Sequence, residues 1–423
     1  MASAFITGIG TAVPPHAIAQ HDALAQMADY CAADADQRRA MSRVYEHAGV
    51  RSRHSVLLQS PTNGAPAQQS FYAPNAGAPT GDPNRSAADA SAGPTTHARM
   101  LAYEAAAEPL ARQACQAALL DAGIHAGQIT HLVTVSCSGF SAPGVDLALM
   151  SSLRLSATVE RTHVGFMGCH GALNGLRVAR AIVEADAAAC VLLCAVELCT
   201  LHLQGGFTMQ RAVSNALFAD GAAAVVVQSA ATNGNAARES CQMEAGDGSP
   251  LREQALPQQT APLLSGASTL ALAGTGACVI PNSADAMTWR IGDQGFEMTL
   301  SPRVPDYIVA HLPGWLDGWL WRHGLVRGDV AAWAVHPGGP RILSAFCDAM
   351  SLPADAVAVS RQVLSRFGNM SSPTILFILQ RLFRGCEASD AVNDNACPQG
   401  PIVALGFGPG LAVEATLLRP AAM

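Results

Sequence analysis

Residues 162–180 place a cysteine between glycines at the point where a short apolar strand is predicted to turn into a helix. Cys169 would lie at the N-terminus of that helix, where unpaired backbone N–H groups and the helix dipole favour a thiolate. Gly168 and Gly171 would leave room for a ligand to approach. The alternative is a structural thiol, since the chain has 12 cysteines and most buried cysteines are only small hydrophobic side chains. The strand-to-helix turn favours a nucleophile.

The helix after Cys169 carries polar residues on one narrow stripe only. Arg177, Arg180 and Glu184 form that stripe, and the positions around it are apolar. A helix with this pattern is expected to be buried almost all round. A buried helix that aims a thiol at a glycine turn is more easily explained by chemistry than by packing.

A cysteine nucleophile needs a base, and it needs a group that stabilises the negative charge formed later in the reaction. Among 13 histidines, His336 has the best local context, because it ends an apolar strand at 332–335 and is followed by Pro-Gly-Gly-Pro. A histidine that merely completes a strand end is the alternative. His170 is next to Cys169 in the chain, but adjacent residues at a helix start point in different directions, so His170 ranks below His336.

Two further turns could contribute to the same site. Asn369 lies in the run Phe-Gly-Asn-Met-Ser-Ser-Pro-Thr at 367–374, just ahead of an apolar helix, where an ordinary N-cap is the alternative. The run Gly-Phe-Gly-Pro-Gly at 406–410 joins two predicted strands and by itself indicates only a hairpin.

The composition indicates a compact globular protein with two domains or two fused halves. Half of the 423 residues are hydrophobic and only 13% are charged, which supplies enough apolar material for a large core. The net charge of −7 argues against nucleic acid as the main partner. The cysteines lack the paired spacing of a zinc site, and we interpret them as reduced and the protein as cytosolic. No apolar run reaches the roughly 20 residues of a membrane span, and the N-terminal residues read as a first strand and not as a signal peptide.

Apolar strands alternate with helical patterns along the chain. Strands are predicted at 131–136, 190–196, 222–227, 332–335, 402–405 and 411–417, and helices near 305–323, 340–350 and 373–383. This rhythm predicts a parallel or mixed sheet covered on both faces, in two halves that are copies of one α/β unit. Two segments rich in small and polar residues, 59–93 and 230–282, are predicted to be surface loops. The predicted organisation is an N-terminal half at 1–229, an insertion at 230–282 and a C-terminal half at 283–423.

Cys169 in its glycine turn, His336 in HPGGP, Asn369 in GNMSSP and the GFGPG run occur in the order and approximate spacing of one known family. Together with the run ALFADGA at 216–222, they resemble the bacterial type III polyketide synthases, the chalcone synthase-like branch of the thiolase superfamily. The resemblance implies an α/β, thiolase-like fold in which two duplicated αβαβα halves form a five-layered structure. It also implies a homodimer that takes an acyl-CoA starter and malonyl-CoA and needs no metal, flavin or nicotinamide cofactor.

The resemblance assigns a role to each matching residue. Cys169 would take the starter acyl group and hold the growing chain as a thioester. His336 would form the ion pair that keeps Cys169 a thiolate at neutral pH. Asn369, with His336, would hold the thioester carbonyl of malonyl-CoA, so that loss of CO2 leaves an enolate with hydrogen-bond donors aimed at its oxygen. Phe218 matches the aromatic residue between the coenzyme A tunnel and the cavity.

Several cavity positions depart from the plant enzymes of the family. An ungapped comparison puts Met298 where the plant enzymes have a second gatekeeping phenylalanine, Trp289 where they have a small glycine, and Ala142 where they lend a methionine across the dimer interface. Other cavity-lining positions fall on Cys137, Cys199, His202 and Ser371. The cavity is therefore expected to differ in shape, and an alkylpyrone, alkylresorcinol or acylphloroglucinol product is expected. The starter, the number of extensions and the mode of ring closure stay open.

Coenzyme A is polyanionic, so a negatively charged chain needs a local basic site for it. Arg51 and Arg53 lie in the region where family members keep basic residues for the phosphates, and Arg341 follows HPGGP. We expect these three residues to bind coenzyme A. Plain solvation of their charges is the alternative.

The same residues leave three other functions open. A ketoacyl carrier-protein synthase of the priming type shares the Cys, His and Asn set, but normally has HQAN where this chain has HPGG. A catalytically silent acyl-binding homologue would usually lack the nucleophile. A cysteine hydrolase would not need the GFGPG run.

Overall fold

The described part of the fold contains ten helices, one nine-stranded mixed sheet and two two-stranded sheets, β2–β3 and β9–β10. The computed structural model describes residues 2–32, 34–60, 67–72, 93–230, 269–384 and 398–421. The strands are β1 (Ala4–Ala12), β2 (Ala17–Ala19), β3 (Ser52–His54), β4 (His131–Ser136), β5 (Glu160–Gly165), β6 (Cys190–Leu198), β7 (Asp220–Ser229), β8 (Leu270–Val279), β9 (Met287–Gly292), β10 (Gly295–Leu300), β11 (Ala332–Val335), β12 (Ile402–Gly408) and β13 (Ala412–Pro420). The helices are α1 (Gln20–Cys31), α2 (Ala35–His47), α3 (Thr96–Ala122), α4 (Val145–Ser152), α5 (Gly171–Ala185), α6 (Met209–Leu217), α7 (Val304–Arg322), α8 (Pro340–Met350), α9 (Ala358–Phe367) and α10 (Thr374–Arg384).

The order of the large sheet, β11-β12-β13-β8-β1-β7-β6-β4-β5, contains the same arrangement twice. In the N-terminal half, β4 is parallel to β6, and β7 and β1 follow in antiparallel pairs. In the C-terminal half, β11 is parallel to β12, and β13 and β8 follow in antiparallel pairs. The halves meet where Phe5 and Ile6 of β1 pair with β8. The predicted duplication is therefore visible in strand order and direction.

The elements stack in five layers. Helices α5 and α10 lie in the middle, because Leu176 of α5 and Ile375 of α10 share one core with residues of both sheet halves. Helix α3 covers the outer face of the N-terminal half, and α7 and α8 cover the outer face of the C-terminal half. Both halves of the sheet are buried on both faces, which explains their continuous apolar strands. The predicted thiolase-like α/β class is confirmed.

Small residues allow the outer helix to approach the N-terminal half closely. A β-carbon on Gly10 of β1 would lie 2.3 Å from the carbonyl oxygen of Ala114 in α3. Only glycine fits there, since real β-carbons do not come within 3.0 Å of such atoms. The abundance of alanine and glycine in the sequence thus corresponds to close helix–sheet packing.

The prediction of one loop from 230 to 282 is wrong at its C-terminal end. Residues 270–279 form β8, which pairs with β13 along its length and with β1 at the junction of the halves. The C-terminal half therefore begins at β8 and not at residue 283. Alternating leucine and alanine interrupted by glycine hid the strand, because glycine is otherwise a loop signal. Residues 231–268 lie outside the described part of the chain.

The structure describes only part of the first predicted loop, 59–93, because residues 61–66 and 73–92 lie outside the described ranges. In the described part of this loop, Tyr72 is 3% exposed and donates its O–H to the carbonyl of Thr200 over 2.6 Å. This part of the segment is anchored to the core and is not a free surface loop. Among the described residues, none of the helices is both long enough and apolar enough to span a bilayer.

Candidate active site

Cys169 lies on a short 3-10 turn, Gly168–His170, between β5 and α5. It therefore precedes the helix, which starts at Gly171, by two residues. Gly168 has φ +69, and a β-carbon there would lie 2.5 Å from Cδ of Pro409. Gly171 is pressed in the same way against Val135. The two glycines thus admit protein atoms, not a ligand as expected, and they fix the turn that presents the thiol.

Asn369 is held by backbone bonds to the segment that contains Phe218. Its N–H donates to the carbonyl of Leu217 over 2.8 Å, and its carbonyl accepts from Ala219 over 3.0 Å. The side-chain Oδ1 accepts from the N–H of Ser371 over 2.8 Å. Since Oδ1 is occupied, the amide orientation is set and Nδ2 is the group left to donate. Asn369 is thus more than an N-cap residue, because its amide is oriented so that Nδ2 can donate a hydrogen bond.

Desolvation raises the pKa of the Cys169 thiol to about 11. The nearby Glu197 carboxylate contributes to this rise, while the side chains of Ser371 and Asn369 lower the pKa. The thiolate expected at neutral pH is therefore opposed by desolvation. Ser371 and Asn369 are the two side chains that stabilise the charged sulfur.

His336 is almost fully buried, and burial, with a smaller contribution from the neighbouring His170, lowers its pKa to about 3. Within the described residues, neither ring nitrogen of His336 has a hydrogen-bond partner. Its backbone N–H donates to the carbonyl of Leu405 over 2.8 Å, which holds the residue at the end of β11. Desolvation thus shifts the pKa values of Cys169 and His336 toward their neutral forms, and the ion pair between them stays a prediction.

Glu197 is a polar residue of the site that the sequence did not single out. It is fully buried at the end of β6 and accepts from the N–H groups of Cys137 and Ser138 and from the hydroxyls of Ser138 and Ser372, at 2.6 to 3.1 Å. Burial raises its pKa, and these donors lower it. The signal in the sequence was one carboxylate in a strand that is otherwise apolar.

An inner cavity of about 30 Å³ lies beside Cys169. Its walls include the predicted residues Cys137, Cys199, Phe218, Trp289, Met298 and Ser371. Trp289 on β9 pairs in register with Met298 on β10, and its indole N–H donates to the carbonyl of Cys137 over 2.8 Å. This volume holds only one or two water molecules. The cavity was expected to differ in shape, and in the structure Trp289 and its neighbours leave little of it empty.

His202 does not line this cavity. It is 2% exposed and stacks on Phe296 with ring centroids 4.2 Å apart. Its Nε2 donates to the carbonyl of Ser138 over 2.6 Å, and its Nδ1 accepts from the N–H of Phe296 over 2.9 Å. Both ring nitrogens are therefore bound to backbone groups. The His202 ring packs against the Trp289 ring, with the centroids 5.5 Å apart.

A larger cleft of about 720 Å³ opens next to the inner cavity. Leu217 and Leu300 line it, and each is close in sequence to an inner-cavity residue, Phe218 or Met298. The rest of its wall includes the glycines and Arg341 of the HPGGP turn and the basic side chains Arg43 and His47 of α2. Arg341 therefore lies where it was expected.

The other two arginines predicted for coenzyme A do not lie in this cleft. Arg53 is 4% exposed, and its guanidinium donates to the carbonyls of Asn215, Ala216 and Phe218 at 2.6 to 3.0 Å. It holds the C-terminal end of α6, so no phosphate can reach it, and that prediction is wrong. Arg51 is exposed, but its Nε donates to Ser365 over 2.8 Å outside the cleft.

The sequence did not single out Arg43 and His47, the other two basic side chains in the wall of the cleft. They are four residues apart on α2 and therefore share one face of the helix, and both are exposed. That i,i+4 spacing was the available signal. Only the fold shows that this face of α2 is turned toward the HPGGP turn.

The chain is similar to known proteins over nearly its whole length. Residues 83–231 match the N-terminal domain of chalcone and stilbene synthases, and residues 272–422 match the C-terminal domain. The chain is 32% identical over 414 residues to 1,3,6,8-tetrahydroxynaphthalene synthase of Streptomyces peucetius subsp. caesius, covering 98% of this chain and 92% of that protein. It is 28% identical over 416 residues to the α-pyrone synthesis polyketide synthase-like Pks18 of Mycobacterium tuberculosis, covering 98% and 90%.

Solved structures show the same fold. The crystal structure of PKS-I from the brown alga Ectocarpus siliculosus superposes with a TM-score of 0.79 at 30% identity, covering 100% of this chain and 99% of that one. The type III polyketide synthase domain of Steely1 from Dictyostelium superposes with a TM-score of 0.76 at 23% identity, covering 99% and 100%.

Proposed function

This chain belongs to the chalcone and stilbene synthase family, and we propose that Cys169, His336 and Asn369 perform its type III polyketide synthase reaction. The observation that carries the proposal is a thiol on a rigid turn, with an oriented amide donor beside it and a basic cleft outside. Acyl-CoA and malonyl-CoA are the substrates, and no cofactor is needed. No alternative function is favoured by the relatives.

The reaction begins with the thiol of Cys169 and the imidazole of His336. His336 takes the thiol proton as the sulfur of Cys169 attacks the starter thioester, which releases coenzyme A and leaves an acyl thioester on the enzyme. Malonyl-CoA then loses CO2, and its enolate oxygen accepts hydrogen bonds from Nδ2 of Asn369 and from a ring N–H of His336. The enolate carbon attacks the acyl group on Cys169, a carbon–carbon bond forms, and the cysteine sulfur is released for the next cycle.

The cleft of about 720 Å³ is proposed to hold the coenzyme A part of both substrates. Arg43 and His47 approach it from α2 and Arg341 from α8, so cationic side chains face a polyanionic ligand from two sides. Gly338 and Gly339 line the same cleft and leave its backbone open. This replaces the site expected at Arg51 and Arg53.

The inner cavity is proposed to select the length of the product, within the alkylpyrone, alkylresorcinol or acylphloroglucinol classes. Trp289 fills the space at the cavity wall and is itself packed against Phe218 and His202. Trp289→Gly is expected to enlarge the cavity and to shift the products toward longer chains, measured by mass spectrometry. The matched control is Trp321→Gly, which changes an exposed tryptophan of α7. Identical product lengths in both variants would show that Trp289 does not set the limit.

A homodimer is proposed from the free edge of the large sheet. Strand β5 is the last strand, and most of its residues are exposed. The neighbouring Phe140 and Phe166 are 51% and 38% exposed, which is unusual for large apolar side chains so close to a sheet edge. Light scattering on the purified protein tests the dimer. A cytosolic location stays a proposal that cell fractionation tests.

The decisive experiment offers the purified protein malonyl-CoA together with short, long and aromatic acyl-CoA starters. Release of CO2 and a cyclised product in mass spectra are expected with at least one starter. A starter that is only hydrolysed, or condensed once without ring closure, would contradict the proposed function.

A further inference from the structure

His170 lies beside the site in a place where its chemistry has no assigned use. It is 2% exposed and packs against the GFGPG run, since a β-carbon on Gly406 would lie 3.1 Å from its Cβ and one on Gly408 would lie 2.4 Å from its Nε2. The glycines of β12 therefore make room for this imidazole. A larger residue at Gly408 would displace it.

His170 and His336 face the same layer of the molecule. In β12, Ala404 faces the central core while Leu405 faces the outer one, so the next residue, Gly406, faces the centre again. In β11, Ala334 faces the centre, and His336 follows two residues later. Because β11 and β12 are parallel, with Val335 opposite Leu405, His336 comes next to Gly406, over which His170 lies.

The tautomer of His170 is set by a chain of hydrogen bonds that ends in an ion pair. Arg177 binds one oxygen of Glu414 over 3.0 Å, and Nδ2 of Asn174 donates to the other over 2.8 Å. Oδ1 of Asn174 then faces Nδ1 of His170 at 2.7 Å and can only accept. Nδ1 of His170 therefore carries the proton, and Nε2 is left with a lone pair.

That lone pair has no hydrogen-bond partner among the described residues, and the same holds for both ring nitrogens of His336. Three unpaired ring nitrogens in one buried place are unusual, because buried polar atoms are nearly always bonded. Hydrogen bonds of a catalytic site are often long in the free enzyme and tighten when charge develops. The charge that develops here is the proton that His336 receives from Cys169.

We propose that His170 is a positioning residue for His336: its Nε2 accepts a hydrogen bond from the His336 ring when that ring takes the proton of the Cys169 thiol. The proton leaves sulfur for one nitrogen of His336, and the N–H on the other nitrogen donates to His170. The resulting order, Cys169, His336, His170, follows the logic of a nucleophile, its base and a group that orients the base. The proposal rests on the proposed roles of Cys169 and His336.

The charged or titratable groups around His170 are few in the described structure. They are His336 from the end of β11, Glu414 from β13, Arg177 from its own helix and the adjacent Cys169. Glu414 and Arg177 neutralise each other, so the hydrogen bond and not a net charge is the means by which His170 acts.

The test is the rate at which iodoacetamide alkylates Cys169 in the full-length enzyme across about pH 5 to 9, located by mass spectrometry of its peptide. His170→Phe removes the acceptor at similar size and is expected to slow alkylation at pH 7 about tenfold, moving the profile up by about one pH unit. His170→Gln keeps an acceptor oxygen and is expected to restore most of the rate. His323→Phe, at a partly buried histidine on the outer side of the C-terminal half, is the matched control with a wild-type profile.

A wild-type profile in folded His170→Phe would overturn the proposal, as would equal slowing in His170→Gln. If His170→Phe does not fold, Asn174→Leu serves instead, since it removes the acceptor of Nδ1–H and releases the tautomer. A shift in the same direction is expected, and an unchanged profile overturns the proposal. Alkylation needs neither starter nor malonyl-CoA, so this result is separate from any failure of polyketide synthesis.

Discussion

The two halves of the molecule repeat one arrangement but arm it differently. In the N-terminal half, Cys169 lies immediately before α5, and in the C-terminal half, Asn369 lies shortly before α10. Both helices belong to the central layer. The two halves therefore have equivalent helix starts in one layer, with the proposed nucleophile near one and the proposed hydrogen-bond donor near the other.

The polar groups of the two halves also differ in how they are satisfied. Glu197 of the N-terminal half is bound by backbone and hydroxyl donors from four residues, Ser136, Cys137, Ser138 and Ser372. His336 of the C-terminal half has no side-chain partner among the described residues. The carboxylate of Glu197 is thus fixed by its surroundings, whereas the ring nitrogens of His336 are available to a substrate or a proton. In the proposed mechanism, this difference leaves the malonyl unit to groups of the C-terminal half.

The largest effect is expected from a variant that loses acyl transfer, which depends on the N-terminal half, and keeps decarboxylation, which depends on the C-terminal half. Cys169→Ala removes the nucleophile and should abolish polyketide formation and acyl-enzyme, while decarboxylation of malonyl-CoA continues at His336 and Asn369. Product and CO2 are measured separately with labelled malonyl-CoA. Cys199→Ala changes another thiol of the same cavity and should still be acylated. Loss of decarboxylation in folded Cys169→Ala would mean that the halves do not act independently.

Asn369→Asp is expected to have the opposite effect, because it should slow decarboxylation more than acyl transfer to Cys169. Aspartate keeps an oxygen for the N–H of Ser371 but has no donor for the enolate, so decarboxylation should fall about 10²- to 10³-fold. Acyl transfer to Cys169, followed by the intact mass of the protein, should fall less, because Ser371 still stabilises the charged sulfur. An Asn369→Asp enzyme that decarboxylates at the wild-type rate would remove the amide from the mechanism.

A smaller effect is expected in the cleft, which both halves form. Arg43→Ala should raise KM for malonyl-CoA about tenfold with little change in kcat, because a charged contact to coenzyme A is lost equally in ground and transition states. Arg51→Ala is the matched control, since Arg51 contacts Ser365 outside the cleft. If Arg51→Ala raised KM and Arg43→Ala did not, the cleft would not be the coenzyme A site.

The smallest effect compares one buried histidine from each half under acid. Burial lowers the pKa of both His202 and His336 to about 3, so between pH 6.5 and 3 the unfolded chain binds protons that the folded chain cannot. Stability is therefore present above the unfolded pKa and is lost as the pH falls, by about 1.4 kcal/mol per pH unit for each histidine. Asp220 acts in the opposite direction, because burial raises its pKa to about 6 and the folded chain takes up that proton first.

His336→Phe removes one of these penalties, and its free energy of unfolding should fall less steeply with acid than that of the wild type. Urea titrations at several pH values measure the slopes. His21→Gln, at a side chain that is 82% exposed, should follow the wild type. Parallel curves for His336→Phe and the wild type would show that His336 already carries a proton in the folded state.

Most of the secondary structure could be predicted because it is encoded locally. The apolar runs of β4, β6 and β7 and the HPGGP turn before α8 lie where the pattern indicated, whereas the first three residues of the GFGPG run extend strand β12. The sequence did not predict strand β8, because glycines that pair in a sheet are a loop signal when they are considered locally. Cys169, His336 and Asn369 were predicted from their turns and their order along the chain.

The site could be predicted only in part, because contacts decide the rest. Arg53 and Arg43 are both basic and ten residues apart, yet Arg53 holds carbonyls inside the protein and Arg43 faces the cleft. His202 was expected in the cavity wall, but its two nitrogens are bound to backbone groups of two other segments. No local pattern distinguishes these cases.

By itself the sequence predicted most of the strands and helices, the duplication and the candidate residues Cys169, His336 and Asn369, because periodicity and turn chemistry are properties of neighbouring residues. Only the tertiary structure decided that desolvation shifts the pKa values of Cys169 and His336 toward their neutral forms, that Trp289 lines the inner cavity, and that His170 lies against the glycines of β12. The pKa of a buried group and the volume of a cavity depend on atoms brought together from distant parts of the chain. Such quantities exist only once the five layers have packed.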